Sequence, residues 1–266
     1  MHWLRAMSNT DAQTRAQSAE TCTAIVLFDE SSPVSAHYRR RCAERTFQFC
    51  GRALTFAQDL GDDVHQPKAP GELGFGGIVR DAALALARYV EAHPEAVAGK
   101  SVLELGAGMG LVSTVCSLLG ATRVAATDGD AAVVGACTRN IARNLGPAAG
   151  EEEAGAARVC ARVLRWGDKA AEVAVAPPFD VIVAADIVCC VYEGAYAALV
   201  GSLRRLCGAR GEVLLAYKRR HGSEDLFFEL VEPLFRLERV PCAELHADFQ
   251  RPECGIVLFR LIPREQ

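Results

Sequence analysis

The stretch 102-VLELGAGMGLVS-113 decides how this chain is read. A short apolar run, Val102 to Leu105, has the look of a buried strand, and it opens through Gly106, Gly108 and Gly110 into a helical pattern. Glycine carries no Cβ, so a turn built this way lets the backbone approach a ligand where side chains would collide. The spacing narrows the choice of ligand. A dinucleotide fingerprint would place its third glycine three positions after the second, and Leu111 stands there instead.

Working outward, the acid Glu104 precedes the turn, which suits a cofactor with an amino-acid tail in place of a pyrophosphate. The next strand-like run, "RVAATD", ends on Asp128, 22 residues after Gly106, where a carboxylate can accept hydrogen bonds from both hydroxyls of a ribose. Glu104, the glycine turn and Asp128 together point to S-adenosylmethionine.

On both sides of this motif the chain alternates short β-rich runs with helical ones. From Lys100 the runs "SVLEL", "RVAATD", "ARVCARVL", "FDVIVAAD" and "GEVLLAY" are separated by helical stretches, the pattern of a parallel, doubly wound sheet covered on both faces. The end differs: "LERVPCAEL" and "CGIVLFRLI" follow one another without a helix, so a terminal antiparallel strand is expected. Upstream, "RTFQFCGRALTFAQDL" (45–60) alternates on either side of Gly51 and reads as a β-hairpin. A Gly/Pro-rich link (61–77) then leads to the helix "DAALALARYVEAHPE", with Asp81 at its start and Pro94 past its end. Residues 1–22 read as disordered, 23–98 as the hairpin-and-helix elaboration with an extended run at 23–30, and 99–266 as the ligand-binding domain. The acidic, low-complexity "GPAAGEEEAGAA" (146–157) reads as a solvated insertion at the amino ends of the strands, away from any ligand.

Composition excludes several classes. A formal charge of −4 does not suit a general nucleic-acid binder. No apolar run has the length of a membrane span, and residues 1–20 lack the apolar stretch of a signal peptide. The 11 cysteines form no C-x-x-C pair and meet no histidine at ligand spacing, so no metal site is expected and the thiols read as reduced core cysteines. The cytoplasm, or the nucleus, is the expected compartment.

The chain resembles the seven-strand S-adenosylmethionine-dependent methyltransferases of methyltransferase family 16, many of which methylate lysines on proteins such as chaperones and elongation factors. Six segments carry the resemblance, in order over residues 45–262: "FQFCGRALTFAQD", "GIVRDAALALARYVE", "VLELGAGMGLVS", "AATD", "LRWGD" and "FDVIVAADIV". It implies a Rossmann-like class I sheet with strand order 3-2-1-4-5-7-6, strand 7 antiparallel. It also implies that Gly106, Ala107 and Gly108 cradle the methionine part, that Asp128 holds the ribose, that Trp166 lies against the adenine, and that Ala185 lines the pocket beside it. The family's D-x-x-Y pattern, in which acid and tyrosine hold the target lysine, begins at Asp186, but the tyrosine position is Cys189. Either Tyr192, three residues later, takes that part, or the acceptor is not held like a family lysine. The pair Cys189-Cys190 is read as inert. Arg80 stands where the family usually has a tryptophan near the cofactor, and its guanidinium plane could replace that contact. Two basic clusters remain, "YRRRCAER" (38–45) and "YKRRHGSED" (217–225); the second follows the fifth strand, at the ligand edge, where it could touch an acidic substrate surface, but is read first as a solvated loop.

The expectation is therefore a monomeric or weakly associated enzyme that methylates a protein side chain, with lysine first. The alternatives are another acceptor (a small molecule, an arginine or a histidine) and a non-catalytic interaction module that keeps the fold.

Overall fold

The computed structural model describes residues 42–59, 73–146, 158–220, 222 and 224–265. The expectations for residues 1–30, for most of the 61–77 link, for the 146–157 insertion and for the first part of the 38–45 cluster lie outside them.

The hairpin consists of β1 (Glu44–Phe49) and β2 (Arg52–Ala57), paired antiparallel with Phe49 opposite Arg52. Its two-residue loop, Cys50-Gly51, has φ of 51° and 69°, the paired left-handed conformation that matches strand twist. Phe49, Leu54 and Phe56 are buried by the alternation, each worth about 1.5–3 kcal/mol. Helix α1 (Asp81–Ala92) follows, and its buried alanines, Ala82, Ala85 and Ala87, permit close packing.

The main sheet contains β3 (Ser101–Leu105), β4 (Arg123–Asp128), β5 (Arg158–Val163), β6 (Phe179–Ala185), β7 (Cys207–Lys218), β8 (Phe235–Arg239) and β9 (Ile256–Pro263). Their order is β5-β4-β3-β6-β7-β9-β8. With β3 as the first strand of the wound unit this is 3-2-1-4-5-7-6, and β9 runs antiparallel to both of its neighbours. The end of the "LERVPCAEL" run departs from expectation. Strand β8 stops at Arg239, and short 3₁₀ turns occupy 242–244, 247–249 and 252–254. Pro241, which has no N–H to offer a ladder, explains the stop.

Between the strands lie α2 (Leu111–Leu118), α3 (Ala131–Leu145), α4 (Lys169–Ala174), α5 (Tyr196–Leu206) and α6 (Glu224–Val231). Alternating strand residues divide the core in two. Val102, Val181 and Leu214 pack with α1, α2, α3 and the hairpin on one face, while Leu103, Ile182 and Val213 pack with α5 and α6 on the other. Among the described residues no helix is long and apolar enough to cross a membrane.

Two asparagines on α3 finish the outer edge of β2. Asn140 Oδ1 accepts the Ala57 N–H at 2.9 Å and its Nδ2 donates to the carbonyls of Ala57 and Met109, both at 3.1 Å. One turn on, Asn144 Oδ1 accepts the Thr55 N–H at 2.8 Å, and its Nδ2 donates to the Thr55 carbonyl at 2.9 Å. The hairpin edge is thereby satisfied without another strand. Through Met109, Asn140 is also tied to the glycine turn.

Candidate active site

The carboxyl ends of β3, β4, β6 and β7 surround a cavity of about 790 Å³. Glu104, Gly106, Ala107, Gly108, Asp128, Trp166, Ala185, Asp186, Tyr192 and Arg80 all line it. Of the residues singled out from sequence, Gly110 is apart. It caps α2 at φ 84°, and a Cβ there would sit 2.8 Å from Cys137 Sγ, so its smallness serves the contact between α2 and α3. Gly106 has the opposite situation: at φ 71° it faces Ile187, whose Cγ2 would be 2.5 Å from an added Cβ. The first and fourth strands of the wound unit thus close on each other through one missing side chain.

The glycine turn is fixed by its own backbone. Ala107 N–H donates to the Thr127 carbonyl at 2.8 Å, and Gly110 N–H to the Ala107 carbonyl at 2.8 Å. Gly108 N–H reaches Asp128 Oδ2 at 3.2 Å, while Asp130 N–H reaches Oδ1 at 3.2 Å. Glu104 is almost wholly buried, and its Oε2 takes the Ser113 N–H at 2.9 Å and hydroxyl at 2.5 Å. Its other oxygen has no hydrogen-bond partner among the described residues. Burial pushes the Glu104 carboxyl up to about 8, against the pull of the two Ser113 bonds. A buried acceptor without a partner at the edge of a cavity is where a ligand's donor belongs. Glu104, the glycine turn and Asp128 therefore fit a ligand with a cationic amino-acid tail and a ribose.

Trp166 follows β5 at the head of the turn into α4, which Asp168 caps by accepting the N–H groups of Ala170 and Ala171 at 3.1 Å. Its ring meets that of Tyr192 edge to face, 5.4 Å between centroids. Tyr192 belongs to a 3₁₀ segment after β6, and burial pushes its hydroxyl up to about 12. Cys189 lines the cavity as well, half-buried, so this thiol is at the site and not in the core where the sequence reading placed it.

Asp186 lies just beyond β6 at φ 59°, a left-handed conformation uncommon outside glycine. Its N–H still bonds the Ala216 carbonyl at 2.8 Å, so the sheet runs one residue past Ala185 before the chain turns. Among the described residues the side chain caps no helix. It meets Arg220 in a two-point ion pair, Nη1 to Oδ1 and Nη2 to Oδ2, each 2.8 Å. Arg220 comes from the cluster read as solvated, and the structure corrects that reading: Arg220 lines the cavity while its neighbour Arg219 turns outward to Asp225. Arg80 forms the roof from the turn ahead of α1, its charge made less favourable chiefly by burial. The apolar walls, Val133, Leu164 and Ile187, were also missed, since apolar residues at strand ends look the same whether they face a ligand or a core.

Fold and cavity together define an S-adenosylmethionine-dependent methyltransferase of the seven-strand class. More closely, the chain belongs to the lysine methyltransferase family, whose sequence profile matches residues 63–233. It is 36% identical over 236 residues to EEF1A lysine methyltransferase 3 of Mus musculus, an alignment covering 88% of this chain and 87% of that one. It is 28% identical over 244 residues to protein N-lysine methyltransferase METTL21A of Mus musculus, covering 91% and 98%. Among solved structures, the T. Thermophilus 16S rRNA methyltransferase RsmC in complex with AdoMet and guanosine superposes with a TM-score of 0.55 at 20% identity, over 84% of this chain and 51% of that one. The ribosomal protein L11 methylase of Lactobacillus delbrueckii subsp. bulgaricus gives 0.51 at 18% identity, over 80% and 95%. These two share the fold.

Proposed function

We propose that this chain methylates a lysine of translation elongation factor EEF1A, with the glycine-turn end of the cavity holding S-adenosylmethionine and the Asp186 end receiving the lysine. One observation carries this reading: Glu104, Asp128 and Trp166 line the same cavity as Asp186, Tyr192 and Arg220, so a bound cofactor and an entering side chain would meet inside it. The choice of acceptor rests on EEF1A lysine methyltransferase 3 of Mus musculus at 36% identity, against 28% to 33% for METTL21A of Mus musculus, Xenopus tropicalis and Danio rerio.

When bound, S-adenosylmethionine supplies an electrophilic methyl group on sulfur. In this reading Asp128 and the turn amides fix the cofactor's orientation, Glu104 faces its amino-acid tail, and Val133, Leu164 and Ile187 keep water away. What the chain must then do is align a neutral amine, because the lysine ammonium has no lone pair and its free pKa is about 10.4.

The test uses purified protein, labelled S-adenosylmethionine and purified EEF1A, with Asp128→Ala as the inactive control and the labelled peptide mapped by mass spectrometry. Label on an EEF1A lysine that disappears in the control is the expected result. Label on another residue type, or none from a protein that still binds S-adenosylhomocysteine, would sink the assignment.

A further inference from the structure

The carboxylate at the acceptor end is not open to an incoming cation. Arg220 occupies both Asp186 oxygens in a fork-to-fork pair, and the Lys218 N–H approaches Oδ1 at 3.4 Å. A carboxylate has about four acceptor positions, so Arg220 and the backbone leave little of this one. The pair is well held: the Asp186 side chain is 7% exposed, Arg220 Nη1 also donates to the Lys218 carbonyl at 3.1 Å, and the Arg220 N–H bonds Glu224 Oε1 at 3.0 Å. Glu224 is itself fully buried on α6. This is a built arrangement at the mouth of the cavity, and nothing in the cofactor's binding calls for it.

We infer that Arg220 is a positioning residue for methyl transfer: by pairing with Asp186 it cancels the carboxylate's charge, so that the site takes up the lysine as a neutral amine, the form that can attack. The inference rests on the lysine reading above. A bare carboxylate a few ångströms from the amine would hold it as ammonium and raise its pKa, whereas a neutral ion pair in a half-buried site does not reward the charge. The lysine's proton passes to bulk water before the side chain enters.

Other charged and titratable groups face the same end. Arg80 comes from the turn before α1, Cys189 and Tyr192 from the segment after β6, and Glu224 from α6, while Asp128 at the end of β4 acts on Tyr192 from the cofactor end. Tyr192 stays protonated through the working range, and Arg80 adds a second guanidinium, which also disfavours an ammonium.

The experiment is a set of pH–rate profiles of kcat, which report groups in the enzyme–substrate complex, from about pH 6 to about pH 10. It is run in a Cys189→Ser background, so that this thiol cannot titrate within the limb. The acceptor is the protein that the wild type labels, EEF1A or one purified from total cell extract, with the methylated residue mapped. Arg220→Gln should move the ascending limb up by about one pH unit, lower KM for the acceptor, and cut kcat at neutral pH about tenfold. Arg220→Lys should restore the limb. Asp186→Asn, which leaves the guanidinium without its counter-charge, should move the limb the other way, a result no loss of structure would mimic. Binding of S-adenosylhomocysteine certifies each variant as folded. A limb that stays in place in a folded Arg220→Gln, or moves in the same direction in both variants, overturns the inference and leaves the lysine reading standing. Label mapped to arginine or histidine in the wild type overturns both, and the mass spectrum tells the two failures apart.

Discussion

The two ends of the cavity are built on opposite principles. At the glycine turn, strands β3 and β4 present backbone amides, an aspartate and a buried carboxyl with an unsatisfied oxygen. At the other end, beyond β6 and β7, the polar groups are already engaged with one another, Asp186 with Arg220 and Arg220 with Glu224. An end that must hold a fixed cofactor can afford unmet hydrogen-bonding capacity, because the ligand always supplies the partner. An end that must admit one protonation state of a side chain and release its product is served by satisfied groups, whose net charge and shape do the selecting. The difference teaches where to look: orphaned buried atoms mark binding, and internally paired charges at a cavity mouth mark discrimination.

The strongest way to break this comparison is Asp128→Ala. Two hydrogen bonds from hydroxyls to a charged acceptor contribute about 1.5–3 kcal/mol each. Calorimetric titration with S-adenosylhomocysteine should therefore show affinity falling by at least about 100-fold. A loss under about threefold would mean that the ribose is held elsewhere and that the two ends have been assigned wrongly.

Next in size is a pH effect from Glu104. Its carboxyl lies at about 8 in the folded protein, against 4.5 as the ordinary value. Between those values the folded chain binds more protons than the unfolded one, so stability from this group is full below about pH 4.5 and is lost as pH rises through about 8. The loss is on the order of a few kcal/mol. Asp180 and Glu172, whose carboxyls are held low by hydrogen bonds from Ser101 and Arg205, act below that window and in the opposite sense. Urea unfolding at mildly acidic and mildly alkaline pH should show the decline in wild type and a flatter profile in Glu104→Gln. Equal slopes would remove the picture of a buried acid waiting for a cationic ligand.

Asn140→Ala sharpens the comparison from outside the cavity. It leaves the Ala57 N–H and the Met109 carbonyl without their partner, at a cost of about 1–3 kcal/mol. Because Met109 belongs to the glycine turn, cofactor affinity should weaken with stability, whereas Asn144→Ala, whose side chain bonds Thr55 and the Asn140 carbonyl but not the turn, should cost stability alone. Chemical denaturation and calorimetry on both variants separate these outcomes. Equal effects on affinity would show that the turn does not depend on the hairpin.

How much of this was legible follows the same division. The glycine spacing, the acid before it and Asp128 at the end of the next strand are local patterns, fixed by what a strand-turn-helix unit can do, and the cavity gathers them apart from Gly110. The hairpin too was written in alternation and in Cys50-Gly51. Asn140 and Asn144 were not, since an i, i+4 pair of asparagines on a helix is equally consistent with a solvated face. Nor was Arg220, because a charge run looks the same whichever of its members turns inward. Cys189 was visible as a departure from D-x-x-Y but was assigned to the core, as apolar context favours. Contacts between segments 34 residues apart, such as Arg220 with Asp186, leave no periodic trace.

Arg219 and Arg220 give the smallest expected effect and the finest test of that last point. They are neighbours in sequence with identical chemistry, yet Arg219 pairs with Asp225 at 2.8 Å with both side chains more than half exposed, while Arg220 is committed to the cavity. An exposed pair of this kind contributes about 0.2–1 kcal/mol and weakens with salt. Arg219→Ala should therefore change the urea midpoint slightly, lose even that difference in high salt, and leave the pH–rate profile where it is in wild type. If removing Arg219 moved the profile as removing Arg220 is expected to, the selecting charge would be the field of the whole basic loop and not one guanidinium placed on one carboxylate.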